Sequence, residues 1–147
     1  MSFEEYLDIQ MKERYRAFIL VAPGKSGKTV LWKKTAYRPE GEYMDYLEYV
    51  CGNPELEKSV ETISPAKVFE TLEARTDCKL LLVDHLDFLF SIWTTSQQKE
   101  FLRLLNKKSN GTCIAVTLHN YKLFNEEEWL QRNSAGMKRI INIIEFA

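Results

Sequence analysis

Three cysteines in 147 residues, Cys51, Cys78 and Cys113, are too few and too scattered for a disulfide framework, and no C-x-x-C is present. They read as reduced, mostly buried thiols of a cytoplasmic protein. No apolar run approaches membrane-spanning length. The opening Met1-Ser2-Phe3-Glu4-Glu5 is acidic and lacks an apolar core, so it does not read as a secretion signal. An excess of one charge is missing too. With Lys+Arg 20 against Asp+Glu 21 the net charge is −1, which gives no general attraction to nucleic acid or to an anionic membrane. DNA stays open only through a local basic group at Lys25, Lys28, Lys33 and Lys34. Internal repeats, low-complexity segments and linkers are absent. What is there, 45% hydrophobic and 28% charged residues, fits one globular domain with a real core.

The chain is organised around Phe18-Ile19-Leu20-Val21-Ala22-Pro23-Gly24-Lys25-Ser26-Gly27-Lys28-Thr29. The apolar run from Ala17 to Ala22 is short enough for a buried strand and breaks at Pro23-Gly24. From Lys28 to Ala36 the spacing predicts a helix, which stops before Arg38-Pro39-Glu40-Gly41. Strand, glycine loop and helix are the setting a phosphate-binding P-loop requires. The pattern is A-x-x-x-x-G-K-T, with Ala22 where the first glycine usually stands. Gly24 and Gly27 let consecutive N–H groups turn into an anion-sized nest, and the helix adds its positive end. Residues Pro23, Gly24, Lys25, Ser26, Gly27, Lys28, Thr29 and Val30 are therefore the expected phosphate cradle. Lys28 would reach the β- and γ-phosphates of ATP, and the Thr29 hydroxyl would ligate Mg²⁺.

The second chemical stretch is Lys79-Leu80-Leu81-Leu82-Val83-Asp84. Four consecutive apolar residues predict a strand covered on both faces, as in a parallel sheet. Asp84 then falls at its carboxyl end, where such sheets bind ligands, in the position of a Walker B aspartate that shares Mg²⁺ with Thr29. His85 follows, where many ATPases carry a catalytic Glu, and the nearest carboxylate after it is Asp87. His85 is open to three roles: a weak base, a contact to a neighbour, or simple packing. Efficient hydrolysis by an isolated monomer is accordingly not expected.

The remaining chain supplies the frame. Phe3–Lys12 reads as a helix capped by Ser2, with Tyr6 and Tyr15 either structural or stacked on adenine. Glu42–Tyr46 reads as a short strand with Leu47–Cys51 open to helix, Gly52-Asn53-Pro54 as a turn or breaker, and Ser64-Pro65 as the start of a helix. Leu86–Trp93 is apolar enough for core or a subunit interface. Thr94, Thr95 or Ser96 caps a helix burying Phe101, Leu102, Leu104 and Leu105. Asn110-Gly111 is a turn. Thr112–Leu118 is a buried strand whose end, Thr117, His119 and Asn120, stands where a sensor of the γ-phosphate would lie. Asn125-Glu126-Glu127-Glu128 predicts a capping box opening a helix that Gly136 ends or interrupts, and Ile140–Phe146 the last strand.

Five strands separated by helices, with these motifs, resemble the core of the AAA-like branch of P-loop ATPases. The resemblance implies a three-layer α/β fold, a five-stranded, mainly parallel sheet in the order 5-1-4-3-2, and no C-terminal helical lid in the chain as given. A narrower likeness is carried by Met44-Asp45-Tyr46-Leu47-Glu48 and by Val83-Asp84-His85-Leu86-Asp87-Phe88-Leu89-Phe90. These are similar to the small P-loop protein family (BrxF) of bacterial BREX phage-exclusion systems. That resemblance implies a role in antiviral defence beside larger ATPase, methyltransferase and phosphatase-like partners. An ATP-binding slow ATPase or assembly switch is the leading expectation, as a homo-oligomer or with a larger ATPase partner. Arg132, with Arg139 second, is the expected arginine finger presented to a neighbour. A small-molecule kinase and a non-catalytic nucleotide-binding module are the competing readings.

Overall fold

The computed structural model describes residues 1–147 except 24–26, 37, 39, 76 and 147. Five strands form one sheet among the described residues: β1 (Ala17–Val21), β2 (Gly41–Asp45), β3 (Leu80–Asp84), β4 (Cys113–Leu118) and β5 (Ile140–Asn142). Their order is β2-β3-β4-β1-β5, and every pairing is parallel. This is the expected order, and the sheet is wholly rather than mainly parallel. The helices are α1 (Phe3–Gln10), α2 (Lys28–Ala36), α3 (Tyr46–Cys51), α4 (Pro54–Lys58), α5 (Pro65–Glu73), α6 (Asp87–Ile92) and α7 (Thr95–Lys107).

Continuous apolar runs in β1, β3 and β4 bury both faces of the sheet, and the two faces have separate cores. Ile19, Leu81, Val83, Ile114 and Val116 point to one side, where α5, α6 and α7 deliver Leu72, Leu89 and Phe101. Phe18, Leu20, Leu82 and Ala115 point to the other, against Phe3, Tyr6 and Leu7 of α1 and Trp32 of α2. The connection after β1 therefore runs to one face and the helices after β3 to the other. Such a divergence opens a crevice at the carboxyl ends of the strands.

Several expectations are corrected. Gly52-Asn53-Pro54 does end α3, as expected, and Asn53 and Pro54 also start α4, with Asn53 Oδ1 accepting from the Leu56 N–H at 3.3 Å and Pro54 at the first helical position. Asn125-Glu126-Glu127-Glu128 opens no helix: a 3-10 turn covers Lys122–Asn125, and Gly136 sits in a turn with φ 76. A capping signal needs an amphipathic stripe behind it, and after Trp129 and Leu130 the run Gln131-Arg132-Asn133-Ser134 is wholly polar. Asn133 Oδ1 takes the Ala135 and Met137 N–H groups at 3.0 and 2.9 Å, which favours a local turn over a helix. The last strand is shorter than expected, giving way to a 3-10 turn over Ile143–Phe146. Of the apolar Leu86–Trp93 segment, Leu86, Leu89, Phe90 and Trp93 are buried in the core, as one of its two expected roles requires, while Ile92 is exposed. No helix among the described residues is long and apolar enough to cross a membrane.

Candidate functional site

Parallel register gathers the polar ends of β2, β3 and β4. Asp45 pairs with Asp84, and because Val116 pairs with Val83, Thr117 falls beside Asp84. Asp84 is 0% exposed, yet its carboxylate is fully supplied with donors. The Thr29 hydroxyl donates to Oδ2 at 2.8 Å and the Tyr43 hydroxyl to the same oxygen at 3.2 Å. The Thr117 hydroxyl donates to Oδ1 at 2.7 Å, joined by the His85 N–H at 2.9 Å. Burial by itself would raise the pKa of this carboxyl. The hydrogen bonds from Thr117 and Thr29, with the neighbouring His85, outweigh burial and hold it below the usual carboxylate range.

Trp32 fixes the other half of this pairing. One turn after Thr29, its indole N–H donates to the Val83 carbonyl at 3.3 Å, clamping α2 against the end of β3. Gly27, at φ 83, takes the left-handed conformation that a glycine adopts without cost, and its carbonyl accepts from Leu31 at 3.0 Å. Gly24, Lys25 and Ser26, expected in the phosphate cradle, lie outside the described residues, as does Pro39 of the expected helix stop. Ala22 is buried, its N–H bonded to the Leu118 carbonyl at 3.0 Å. Pro23 is exposed, and the Val30 side chain turns to solvent, leaving only its backbone for a ligand.

His85 is held in a left-handed backbone conformation, φ 60, at a cost on the order of 1 kcal/mol for a residue with a Cβ. This turns its N–H onto Asp84 and carries the ring between two carboxylates. Nδ1 lies 2.9 Å from Asp45 Oδ2, off the ring N–H axis and without a directed hydrogen bond, and Nε2 lies 3.9 Å from Asp84 Oδ2. Of its three possible roles, contact to neighbours is the one this geometry supports.

Lys28 is almost buried, and its ammonium faces Asp87 Oδ2 at 3.8 Å. Asp87 is anchored in turn. Its Oδ1 accepts from the Tyr121 hydroxyl at 2.5 Å and from the His119 N–H at 2.9 Å, and His119 Nε2 lies 3.4 Å from Oδ2. Thus Lys28, Thr29, Asp84, His85, Thr117 and His119 converge as the sequence leads one to expect, with Asp45, Tyr43, Asp87 and Tyr121 added. Asp45 carried a usable signal, since it ends a parallel strand as Asp84 does. Nothing local in the sequence gave the direction of Asp87 or Tyr121.

Other expected residues stay apart. Arg132 is exposed, 3.0 Å from Glu128 Oε1 and donating to the Gly136 carbonyl at 2.9 Å. It borders a cavity of about 480 Å³ that also touches Trp129 and, at the strand ends, Val21, Asn120 and Asn142. Arg139 is 1% exposed and donates to the carbonyls of Ala17, Gln131 and Asn106, a rivet within the fold rather than a finger. Tyr6 is a core ring whose hydroxyl donates to the Lys138 carbonyl at 2.8 Å, and Tyr15 lies at the opposite end of β1, bridged to Ser109. Neither faces the strand ends as a base-stacking ring would. The basic group also disperses: Lys28 is paired inside, and Lys33 lies over the Tyr43 ring at 5.6 Å. Glu42, Asp77 and Cys78 bring ligand atoms within 4.8 Å of one another, but Glu42 is committed to Arg75 at 2.5 Å. Burial also pushes the Cys78 thiol up to about 11, which keeps it a protonated and poor ligand.

Compared with known proteins, the chain matches no family model, no curated protein and no solved structure.

Proposed function

We propose that this chain is an ATP-binding P-loop protein, working as a slow ATPase or an ATP-dependent assembly switch. The observation that carries the reading is the Thr29–Asp84 hydrogen bond, 2.8 Å long across 55 positions of sequence. It joins the end of a G-K-T signature to a strand-end aspartate, the pairing that Mg²⁺·nucleotide chemistry demands. The strand order agrees with this reading, and so does the crevice at the carboxyl ends.

The donor set suits Mg²⁺, which takes hard oxygen ligands and keeps several waters. Thr29 Oγ1 and the ionised Asp84 are the residues that would hold it, Asp84 through water because four donors already occupy its oxygens. When bound, the ion neutralises charge on the phosphate oxygens. Lys28 adds a second positive charge, and Thr117 keeps Asp84 oriented. The cavity bordered by Val21 and Asn142, the last residues of β1 and β5, offers room for the nucleoside.

Association with a second copy or a larger ATPase partner is part of the proposal, with Arg132 as the finger. It rests on the need for further positive charge at the γ-phosphate, since such a finger contributes roughly 10³–10⁵ in rate. A place in phage defence rests on the sequence likeness of Met44–Glu48 and Val83–Phe90 to the BREX family.

Equilibrium binding of ATP·Mg²⁺ to wild type and Lys28→Ala tests the core of this reading. Loss of the ammonium is expected to weaken affinity about ten-fold or more, equivalent to about 1.4 kcal/mol, in a protein that stays folded. Equal affinity of the two proteins overturns it.

A further inference from the structure

The position after Asp84 holds no carboxylate, yet the structure brings one to the site by another route. Asp87 opens α6, and its two oxygens are treated differently. Oδ1 is fixed by the Tyr121 hydroxyl at 2.5 Å and the His119 N–H at 2.9 Å. Oδ2 is turned toward Lys28 Nζ at 3.8 Å, with the His119 ring 3.4 Å away and the side chain 19% exposed. One oxygen is anchored and the other faces the phosphate-binding lysine from the water-accessible side. That is the arrangement a carboxylate needs to orient a water molecule for attack.

We propose that Asp87 is the water-activating carboxylate of this site, and that its ion pair with Lys28 is the resting contact that phosphate displaces. The inference rests on the ATP-binding reading above. As Lys28 turns to the β- and γ-phosphates, Asp87 Oδ2 is released to accept a hydrogen bond from a water. The water oxygen forms a bond to the γ-phosphorus, and the bond from that phosphorus to the β–γ bridging oxygen breaks. Its electron pair leaves on ADP, and the proton lost by the water passes to Asp87 Oδ2 and then to solvent. Tyr121 is a positioning residue in this scheme. Burial, then the hydrogen bond to Asp87, raise its phenol far above its usual pKa, so it remains a donor to Oδ1. The arrangement also links occupancy to shape, because Asp87 bonds to His119 and Tyr121 in the segment after β4.

Asp87→Asn keeps the size of the side chain and an oxygen for Tyr121 and His119 while removing the base. Single-turnover phosphate release and equilibrium ATP·Mg²⁺ binding are measured on wild type, Asp87→Asn and Tyr121→Phe, with folding checked by circular dichroism. The expected result for Asp87→Asn is release slowed about 100-fold or more, at an ATP affinity equal to or tighter than wild type. Tyr121→Phe is expected to slow release by a smaller factor without weakening affinity, which keeps the test decisive if Asp87→Asn misfolds. Release at the wild-type rate in the variants overturns the inference. So does a parallel loss of binding and release, which would mark Asp87 as an organiser only, and so does a wild type that binds ATP but releases no phosphate. A wild type that binds no ATP fails at the earlier step and overturns the nucleotide reading itself.

Discussion

Cys51 lies on the surface, whereas burial pushes the Cys78 thiol up to about 11 and the Cys113 thiol up to about 12. A thiol whose native pKa is raised contributes stability that is complete below its unfolded-state pKa and is lost as pH rises through the native value. Between pH 9 and 12 the native state should therefore lose stability through Cys113, and more of it than a Cys113→Ser control that has no thiol to ionise. Near neutral pH a thiol reagent should label Cys51 first and Cys113 only after denaturation, as read by peptide mass mapping. Labelling of Cys113 as fast as Cys51 in the native protein would contradict its burial. The same rule, that surroundings decide chemistry, separates the aspartates. Asp84 is kept ionised by its donors, whereas Asp45 divides its oxygens between the His85 ring and the Glu48 N–H.

At the scale of elements, capping residues set where helices start only when an apolar face follows. Thr94 and Gln97 form a reciprocal box at the start of α7, with the Thr94 N–H on Gln97 Oε1 at 2.9 Å and the Gln97 N–H on Thr94 Oγ1 at 3.3 Å. Behind it, Phe101, Leu102 and Leu105 are buried in the core. Thr94→Ala should cost about 1 kcal/mol, seen as a lower urea midpoint at unchanged slope. A midpoint equal to wild type would mean that packing alone holds this helix start. Asn125–Glu128 carries a similar signal with no stripe behind it and opens no helix, following a 3-10 turn that ends at Asn125. Asn53-Pro54 carries a weaker signal and yields α4, because Asn53 accepts from Leu56 and Pro54 needs no donor there.

For the whole molecule, two cores on a wholly parallel sheet leave the chemistry to one edge, where loops from both faces meet. With Leu89, Phe90 and Trp93 spent on the core, the large exposed apolar residues among those described, Met1, Val30, Leu47, Ile92 and Ile144, are far apart in sequence. Association should then depend on ligand rather than on a greasy face. Sedimentation at several concentrations is expected to give a larger species only with ATP·Mg²⁺, or with an added partner ATPase. Arg132→Ala should lower phosphate release in that species by at least ten-fold while leaving ATP binding intact. A strict monomer under all conditions, with Arg132→Ala hydrolysing at the wild-type rate beside the partner, would remove the assembly part of the proposal.

The sequence by itself determined β1, β3 and β4 and the residues at their ends. Runs such as Phe18–Val21 and Leu80–Val83 are too apolar to lie anywhere but inside a two-sided sheet, and a polar residue closing such a run must emerge at its edge. Local chemistry was likewise enough for α2, α5 and α7, where cap, breaker and apolar stripe agree. Tertiary structure decided the partners. Asp45 meets Asp84 only because β2 and β3 are neighbours, and Tyr121 meets Asp87 only because the segment after β4 folds across α6. It also decided the fate of Arg139, a late basic residue in sequence that ends buried against three backbone carbonyls. Hydrophobic periodicity is a local property of the chain, but a hydrogen bond between residues tens of positions apart depends on which strands lie side by side. That choice is made when both faces of the sheet are covered at once.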